Sequence, residues 1–97
     1  MPGLTGPTET VRRRLLVSGR VQGVWYRESC RAEASARGVA GSVRNLGDGR
    51  VEVVLEGAPA AVAAVEAWCR EGPRRAHVEA VDARGEPPVG ATGFEVG

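Results

Sequence analysis

Apolar and polar residues alternate most clearly in residues 41–57. Val51, Val53 and Leu55 alternate with polar side chains after the turn sequence GDG, and Val43 precedes that turn. Strict alternation is typical of a half-buried strand, because successive side chains of a strand point to opposite faces of the sheet. A short glycine-containing turn between two such runs indicates a hairpin. We therefore predict two antiparallel strands with one face turned towards the core.

Two other segments show the spacing or the composition of helices. Residues 58–72 carry apolar side chains at helical spacing, with Pro59 near the start and Gly72 at the end. Residues 25–37 are rich in good helix formers, and Gly38 follows as a natural C-terminal cap. The apolar positions of these two helices are Cys30, Ala34, Val62, Val65, Trp68 and Cys69.

Residues 13–19 and 76–84 complete the pattern as two further predicted strands. The order strand, helix, strand, strand, helix, strand predicts an α+β fold, the ferredoxin-like two-layer βαββαβ sandwich, with an antiparallel sheet and both helices on one face. Residues 93–96 are compatible with a short C-terminal edge strand. We expect residues 1–10 to form a disordered tail and residues 11–97 to form the domain.

Length, charge and cysteine content narrow the range of functions. The chain has 97 residues and a formal net charge of +1, which suits one small domain without the basic footprint of a nucleic-acid-binding protein. It shows neither a signal peptide nor a membrane-spanning run, so we expect a cytoplasmic protein with no membrane partner. Nothing in the sequence requires more than a monomer. Cys30 and Cys69 are predicted to be small buried residues, with a bridge between them as the alternative.

The stretch GRVQGVWYRE, residues 19–28, combines two glycines with an arginine at a predicted helix start. Gly19 and Gly23 tolerate positive φ, and consecutive N–H groups in such a turn can form an anion-binding nest. A cation such as Arg27 is unfavourable near a helix N-terminus, and a bound anion would reverse that cost. The alternative is an ordinary glycine-rich turn followed by a solvated arginine, and the residue types support both.

GRVQGVWYR at 19–27 and GSVRNLGDGRVEV at 41–53 together resemble the two signature stretches of acylphosphatases. EGPRRAHVEAV at 71–81 is similar to that family's segment after the second helix, so the resemblance covers about residues 13–97. It implies a ferredoxin-like fold. It also implies hydrolysis of acyl phosphates to a carboxylate and inorganic phosphate, with no metal and no other cofactor.

The resemblance further assigns roles to individual residues. Arg27 would bind the substrate phosphate, and Asn45 would position the attacking water. Trp25 stands where smaller residues are also common in the family, so its side chain would change the lining of the pocket. The main-chain amides that would hold the phosphate are those of Gln22, Gly23, Val24, Trp25 and Tyr26.

The implied chemistry needs no nucleophile–base pair, because a carboxylate leaving group has a reference pKa of about 4 and can depart unprotonated. We therefore expect His77, the single histidine, to be structural or solvent-facing. Asp48 is explained by turn formation. Without the resemblance, Asn45 would be read as capping its own hairpin turn.

Two other functions compete with catalysis. The first is a non-catalytic or regulatory acylphosphatase-like module that binds phosphate or carbamoyl phosphate, as in longer carbamoyl-transferring proteins; a chain ending at residue 97 favours a free-standing enzyme. The second is binding of single-stranded RNA on the open sheet face. That mode needs stacking aromatic residues, and residues 13–18 and 50–56 contain none.

Overall fold

Seven elements follow one another along residues 9–97, the part of the chain that the computed structural model describes. The predicted tail over residues 1–10 lies outside this range, apart from Glu9 and Thr10. Both helices begin and end within one residue of their predicted bounds, whereas the first and fourth strands are longer than predicted. The elements are β1 (Val11–Arg20), α1 (Tyr26–Ala36), β2 (Ala40–Asn45), β3 (Val51–Gly57), α2 (Pro59–Glu71), β4 (His77–Glu86) and β5 (Phe94–Val96).

The five strands form one sheet in the order β4-β1-β3-β2-β5. The predicted βαββαβ order is confirmed, and β1 to β4 pair antiparallel. The predicted edge strand is also present, but β5 pairs parallel with β2, so the complete sheet is mixed. β1 and β2 run in the same direction, so their last residues, Arg20 and Asn45, lie at the same end of the sheet. The two segments singled out in the sequence therefore meet at one end of the fold.

Both helices pack on one face of the sheet and enclose the core. Val51, Val53 and Leu55 are fully buried, as the alternation in β3 predicts. Cys30 and Cys69 are also buried, and both are free thiols, so the bridge considered above is not formed. A hydrogen bond with Cys69, together with burial, raises the pKa of the Cys30 thiol. Both cysteines therefore act as small core residues that join α1 to α2.

Glu56 lies on the face of the sheet opposite the core, as the alternation predicts, but its carboxylate is buried and only 3% exposed. It accepts a hydrogen bond from the Arg12 guanidinium at 2.9 Å and others from the main-chain N–H groups of Val89, Gly90 and Ala91. These bonds hold the connection between β4 and β5 against the sheet. The connection delivers β5 to the side of β2, so Glu56 helps to place the end of the chain beside Asn45.

Glu86 provides a pH test of the arginine–glutamate network on the opposite face of the sheet. Hydrogen bonds from Arg14 and Arg12 lower the pKa of its carboxyl to about 2, against about 4.3 in an unfolded chain. A lowered folded-state pKa stabilises the protein above the unfolded pKa, and this stabilisation is lost as the pH falls towards 2. We expect Glu86→Gln to reduce the free energy of unfolding at pH 7 and to differ little from the wild type near pH 2.

Urea unfolding at pH 7, 4 and 2.5 measures this convergence. Glu71→Gln is the matched control, because Glu71 is exposed and makes no ion pair with the described residues. A Glu86→Gln deficit of the same size at all three pH values would contradict the assignment.

Candidate active site

A cavity of about 340 Å³ opens at the end of the sheet where β1 and β2 terminate. This volume lies within the range of small-molecule sites in proteins. The connection between β1 and α1 supplies most of its wall, and β2 and β5 supply the rest. The lining residues are Val21, Gly23, Trp25, Tyr26, Arg27, Glu28, Asn45 and Val96.

The connection between β1 and α1 alternates in the sign of φ. Gly23 has a φ of 74° and Trp25 a φ of 67°, while Val24 between them and Tyr26 after them have negative φ. Alternation of left- and right-handed residues turns successive N–H groups towards a common point and creates an anion-binding concavity. Trp25 is the single non-glycine residue with positive φ in residues 9–97, a conformation that costs about 1–2 kcal/mol. The loop is therefore held in a strained shape that suits an anion.

The N-terminus of α1 adds further donors to this concavity. Trp25 is the N-cap residue, and no side chain caps the helix. The first helical bond runs from the Ser29 N–H to the Trp25 carbonyl at 3.1 Å, so the N–H groups of Tyr26, Arg27 and Glu28 have no acceptor within the helix. These N–H groups carry the partial positive charge of the helix terminus. Glu28 introduces a carboxylate in the same turn, and Arg31 pairs with it at 3.0 Å.

Arg27 extends from the first turn of α1 across the cavity towards β2. Its guanidinium donates a hydrogen bond to the main-chain oxygen of Gly97. Gly97 is held in place by its own N–H, which donates to the Val43 carbonyl of β2 at 2.8 Å. The contact therefore directs the guanidinium to the side of the cavity that Asn45 lines.

Asn45 is the last residue of β2, and its side chain is exposed. Other residues close the turn that follows. The Leu46 N–H donates to the Arg50 carbonyl at 2.8 Å, and the Asp48 carboxylate accepts from the Arg50 N–H at 3.1 Å. The turn role expected for Asp48 is confirmed, and the carboxamide of Asn45 is not needed to close the hairpin.

The side chain of Gln22 joins the loop to the hairpin. Its amide group donates to the carbonyl oxygens of Leu46 at 2.9 Å and Arg50 at 3.0 Å. These two bonds fix the loop relative to Asn45, the residue next to Leu46. Sequence reasoning gave Gln22 only a main-chain role. Its acceptors lie 24 and 28 residues away, so no local pattern could have revealed the contact.

Comparison with known proteins shows the family of the chain. The family model described as acylphosphatase matches residues 13–96, nearly the whole of the described chain. The chain belongs to the acylphosphatase family. It is accordingly a hydrolase of the acylphosphatase type.

Individual acylphosphatases match over most of their own length. An acylphosphatase of Rubrobacter xylanophilus is 53% identical over 95 residues, which cover 97% of this chain and 86% of that protein. The solved structure of an acylphosphatase from Coxiella burnetii has a TM-score of 0.86 and 34% identity, covering 90% of this chain and 92% of that one. The Bacillus subtilis acylphosphatase has a TM-score of 0.85 and 32% identity, covering 89% of this chain and 97% of that one.

The cavity brings together most of the residues that the sequence singled out. Arg27 and Asn45 line it with Gly23, Trp25 and Tyr26, whereas Gln22 and Val24 do not. The Gln22 side chain turns to the hairpin, and Val24 is buried. These observations concern the side chains of Gln22 and Val24. The role predicted for both residues is that of their main-chain N–H groups, so it stays a prediction.

Tyr26 borders the cavity, but its phenol belongs to the core. The hydroxyl donates to the Cys69 carbonyl at 2.7 Å, and the ring centroid lies 5.5 Å from that of Trp68. Burial raises the pKa of the phenol well above its usual value. Tyr26 therefore anchors the loop and the start of α1 to α2, and it is unsuited to proton transfer.

His77 lies outside the cavity lining, at the exposed start of β4 opposite Arg20. This placement agrees with the solvent-facing position expected for it. Over residues 9–97, no group of three or more histidine, cysteine, aspartate or glutamate side chains could hold a metal ion. In the same range, none of the helices has the length and hydrophobicity to cross a bilayer.

Proposed function

We propose that this acylphosphatase hydrolyses the carboxyl–phosphate bond of acyl phosphates through Arg27, Asn45 and the main-chain amides of residues 22–26. The observation that carries the proposal is the position of Arg27 and Asn45 on one cavity, beside a loop whose alternating φ values gather N–H groups at an uncapped helix start. Each feature alone has an ordinary structural explanation. Their convergence at one small cavity favours a site for a tetrahedral anion.

In this proposal the phosphate oxygens bind to the loop amides and to Arg27. Main-chain N–H groups at a helix N-terminus are suited to a dianion, because they combine hydrogen bonds with partial positive charge. The planar guanidinium can donate two parallel hydrogen bonds to phosphate oxygens. It would exchange its present contact with the main-chain oxygen of Gly97 for the phosphate oxygens of the substrate. The nearby Glu28 carboxylate opposes binding because it repels the dianion, and Arg31 partly neutralises that carboxylate.

Asn45 supplies the position of the attacking water. Its carboxamide oxygen can accept a hydrogen bond from that water and hold it in line behind phosphorus. Attack forms a new bond from the water oxygen to phosphorus, and the bond from phosphorus to the acyl oxygen breaks. The carboxylate leaves with the bonding electron pair, and the released proton goes to phosphate or to solvent. Phosphoryl transfer of this kind depends chiefly on positioning and charge stabilisation.

The proposed mechanism gives no side chain at the cavity the role of a general acid or base, and this fits the leaving group. A carboxylate with a reference pKa of about 4 does not need protonation to depart at neutral pH. The nearby Tyr26 phenol has a raised pKa and is committed to Cys69, and His77 lies elsewhere. We infer that the enzyme works without metal or other cofactor, and as a monomer, because one chain supplies every residue of the proposed site.

Phosphate release from benzoyl phosphate in the presence of EDTA tests the proposal. We expect saturable turnover that the chelator does not change. Loss of turnover on chelation would overturn the metal-independent mechanism. Binding of inorganic phosphate without any turnover would instead indicate a non-catalytic phosphate-binding module, and it would refute hydrolysis.

A further inference from the structure

Trp25 is the exposed aromatic residue of the described chain. Its side chain is 71% exposed, whereas Tyr26 is 1% exposed and the rings of Trp68 and Phe94 pack partly against the core. A single exposed indole elsewhere on the surface would not indicate a binding site. This one lines the cavity that also contains Arg27 and Asn45.

The backbone of Trp25 keeps the indole out of the core. α1 buries Tyr26, Cys30 and Ala34 against the sheet, and Trp25 precedes that helix in a left-handed conformation. Its side chain therefore does not continue the buried stripe of the helix. Glycine would adopt this φ at no steric cost, so tryptophan occupies this position at a conformational penalty.

The indole is also the main apolar surface that a ligand in the cavity can touch. The other apolar lining residues are Val21, Tyr26 and Val96. Val21 and Tyr26 are each 1% exposed, and Val96 is half-buried in β5. The remaining walls are polar, charged or glycine.

We propose that the Trp25 indole contacts the acyl group of the substrate and gives the enzyme a preference for flat, apolar acyl groups over acetyl. This inference rests on the proposed function, which places the phosphate on the amides of residues 22–26. Because the phosphate is held by the main chain around Trp25, the acyl group bound to it lies within reach of that side chain. Planar acyl groups gain offset stacking with the indole, and a methyl group offers little surface for it.

The test is the ratio of kcat/KM for benzoyl phosphate to kcat/KM for acetyl phosphate. We expect Trp25→Ala to lower this ratio by about 2- to 10-fold, the range of one aromatic contact. Trp25→Phe should restore most of the preference, because it returns an aromatic ring. Val89→Ala is the matched control: Val89 is 70% exposed, lies outside the cavity, and its substitution should leave the ratio unchanged.

A ratio that Trp25→Ala leaves unchanged would overturn the proposal. So would a fall in the ratio that Trp25→Phe does not reverse, since a merely structural role for the residue would produce it. A change in the loop that alters kcat/KM equally for both substrates leaves the ratio unchanged. Loop strain alone therefore does not produce the expected fall in the ratio. The inhibition constant for inorganic phosphate monitors the loop separately.

A second measurement tests the contact between Trp25 and the acyl group independently of catalysis. Calorimetric titration with benzylphosphonate and methylphosphonate compares the two groups without turnover. Tighter binding of benzylphosphonate that Trp25→Ala abolishes supports the contact, and equal binding of both to the wild type overturns it. Binding of both probes that Arg27→Ala leaves intact would instead refute the phosphate site and leave the comparison at Trp25 valid.

Discussion

Arg27→Ala is expected to remove phosphate binding and turnover together. Arg27 is the single arginine among the cavity-lining residues, and its guanidinium crosses towards the side that Asn45 lines. Without it, the dianion would rest on main-chain amides close to the Glu28 carboxylate. An arginine that stabilises a transferring phosphoryl group contributes about 10³- to 10⁵-fold to the rate, and we expect a loss of kcat/KM in that range.

Two measurements check this expectation: steady-state kinetics with benzoyl phosphate, and the inhibition constant of inorganic phosphate. Arg37→Ala is the matched control, because Arg37 caps the opposite end of the same helix, is exposed and does not line the cavity. It should keep near-normal kinetics. Retained phosphate affinity in Arg27→Ala would remove Arg27 from the proposed site. Urea unfolding of both variants shows whether loss of the contact with Gly97 weakens the fold.

Asn45→Ala is expected to separate chemistry from binding. The carboxamide is proposed to hold water, so its removal should lower kcat by about 100- to 1000-fold, the usual effect of losing one preorganised polar group. The affinity for inorganic phosphate should change little, because the loop amides and Arg27 remain. A loss confined to kcat is the signature of an interaction made in the transition state.

Two further variants sharpen this prediction. Arg44→Ala changes the preceding residue of β2, which pairs with Glu52 and does not line the cavity, and it should keep normal turnover. Asn45→Asp should lose phosphate affinity as well as turnover, because it places a negative charge beside the dianion. Near-normal kcat in Asn45→Ala would exclude Asn45 from the mechanism.

The sequence predicted an element well where its own residues carried the periodicity and the end signals. The alternation of Val51, Val53 and Leu55 located β3, and the helical spacing with Pro59 and Gly72 bounded α2 within one residue. The strand ends were less certain, because β1 and β4 extend through polar residues whose partners lie on other strands. Arg12, for example, is part of β1 and is held there by Glu56 and Glu86.

Contacts between distant segments were beyond the reach of sequence reasoning. Gln22 was predicted to act only through its main-chain amide, yet its side chain fixes the loop to the hairpin. Glu56 is one of the polar residues that alternate with the core valines of β3, yet it is buried and holds the connection that brings β5 to β2. Tyr26 borders the cavity by position, but its hydroxyl is committed to the carbonyl of Cys69. Each contact joins residues that are far apart in the chain, so neither spacing nor periodicity encodes it.

The amino-acid sequence by itself determined the order of the elements, the ferredoxin-like class and the two segments that resemble the acylphosphatase signatures. Periodicity and turn signals depend on residues that are close together in the sequence, so they can be read from the sequence directly. Only the tertiary structure decided that β5 runs parallel to β2, that Arg27 reaches towards the Asn45 side of the cavity, and that Trp25 stands exposed at its wall. Those outcomes depend on which distant surfaces pack together, because packing sets distances that the chain order does not contain.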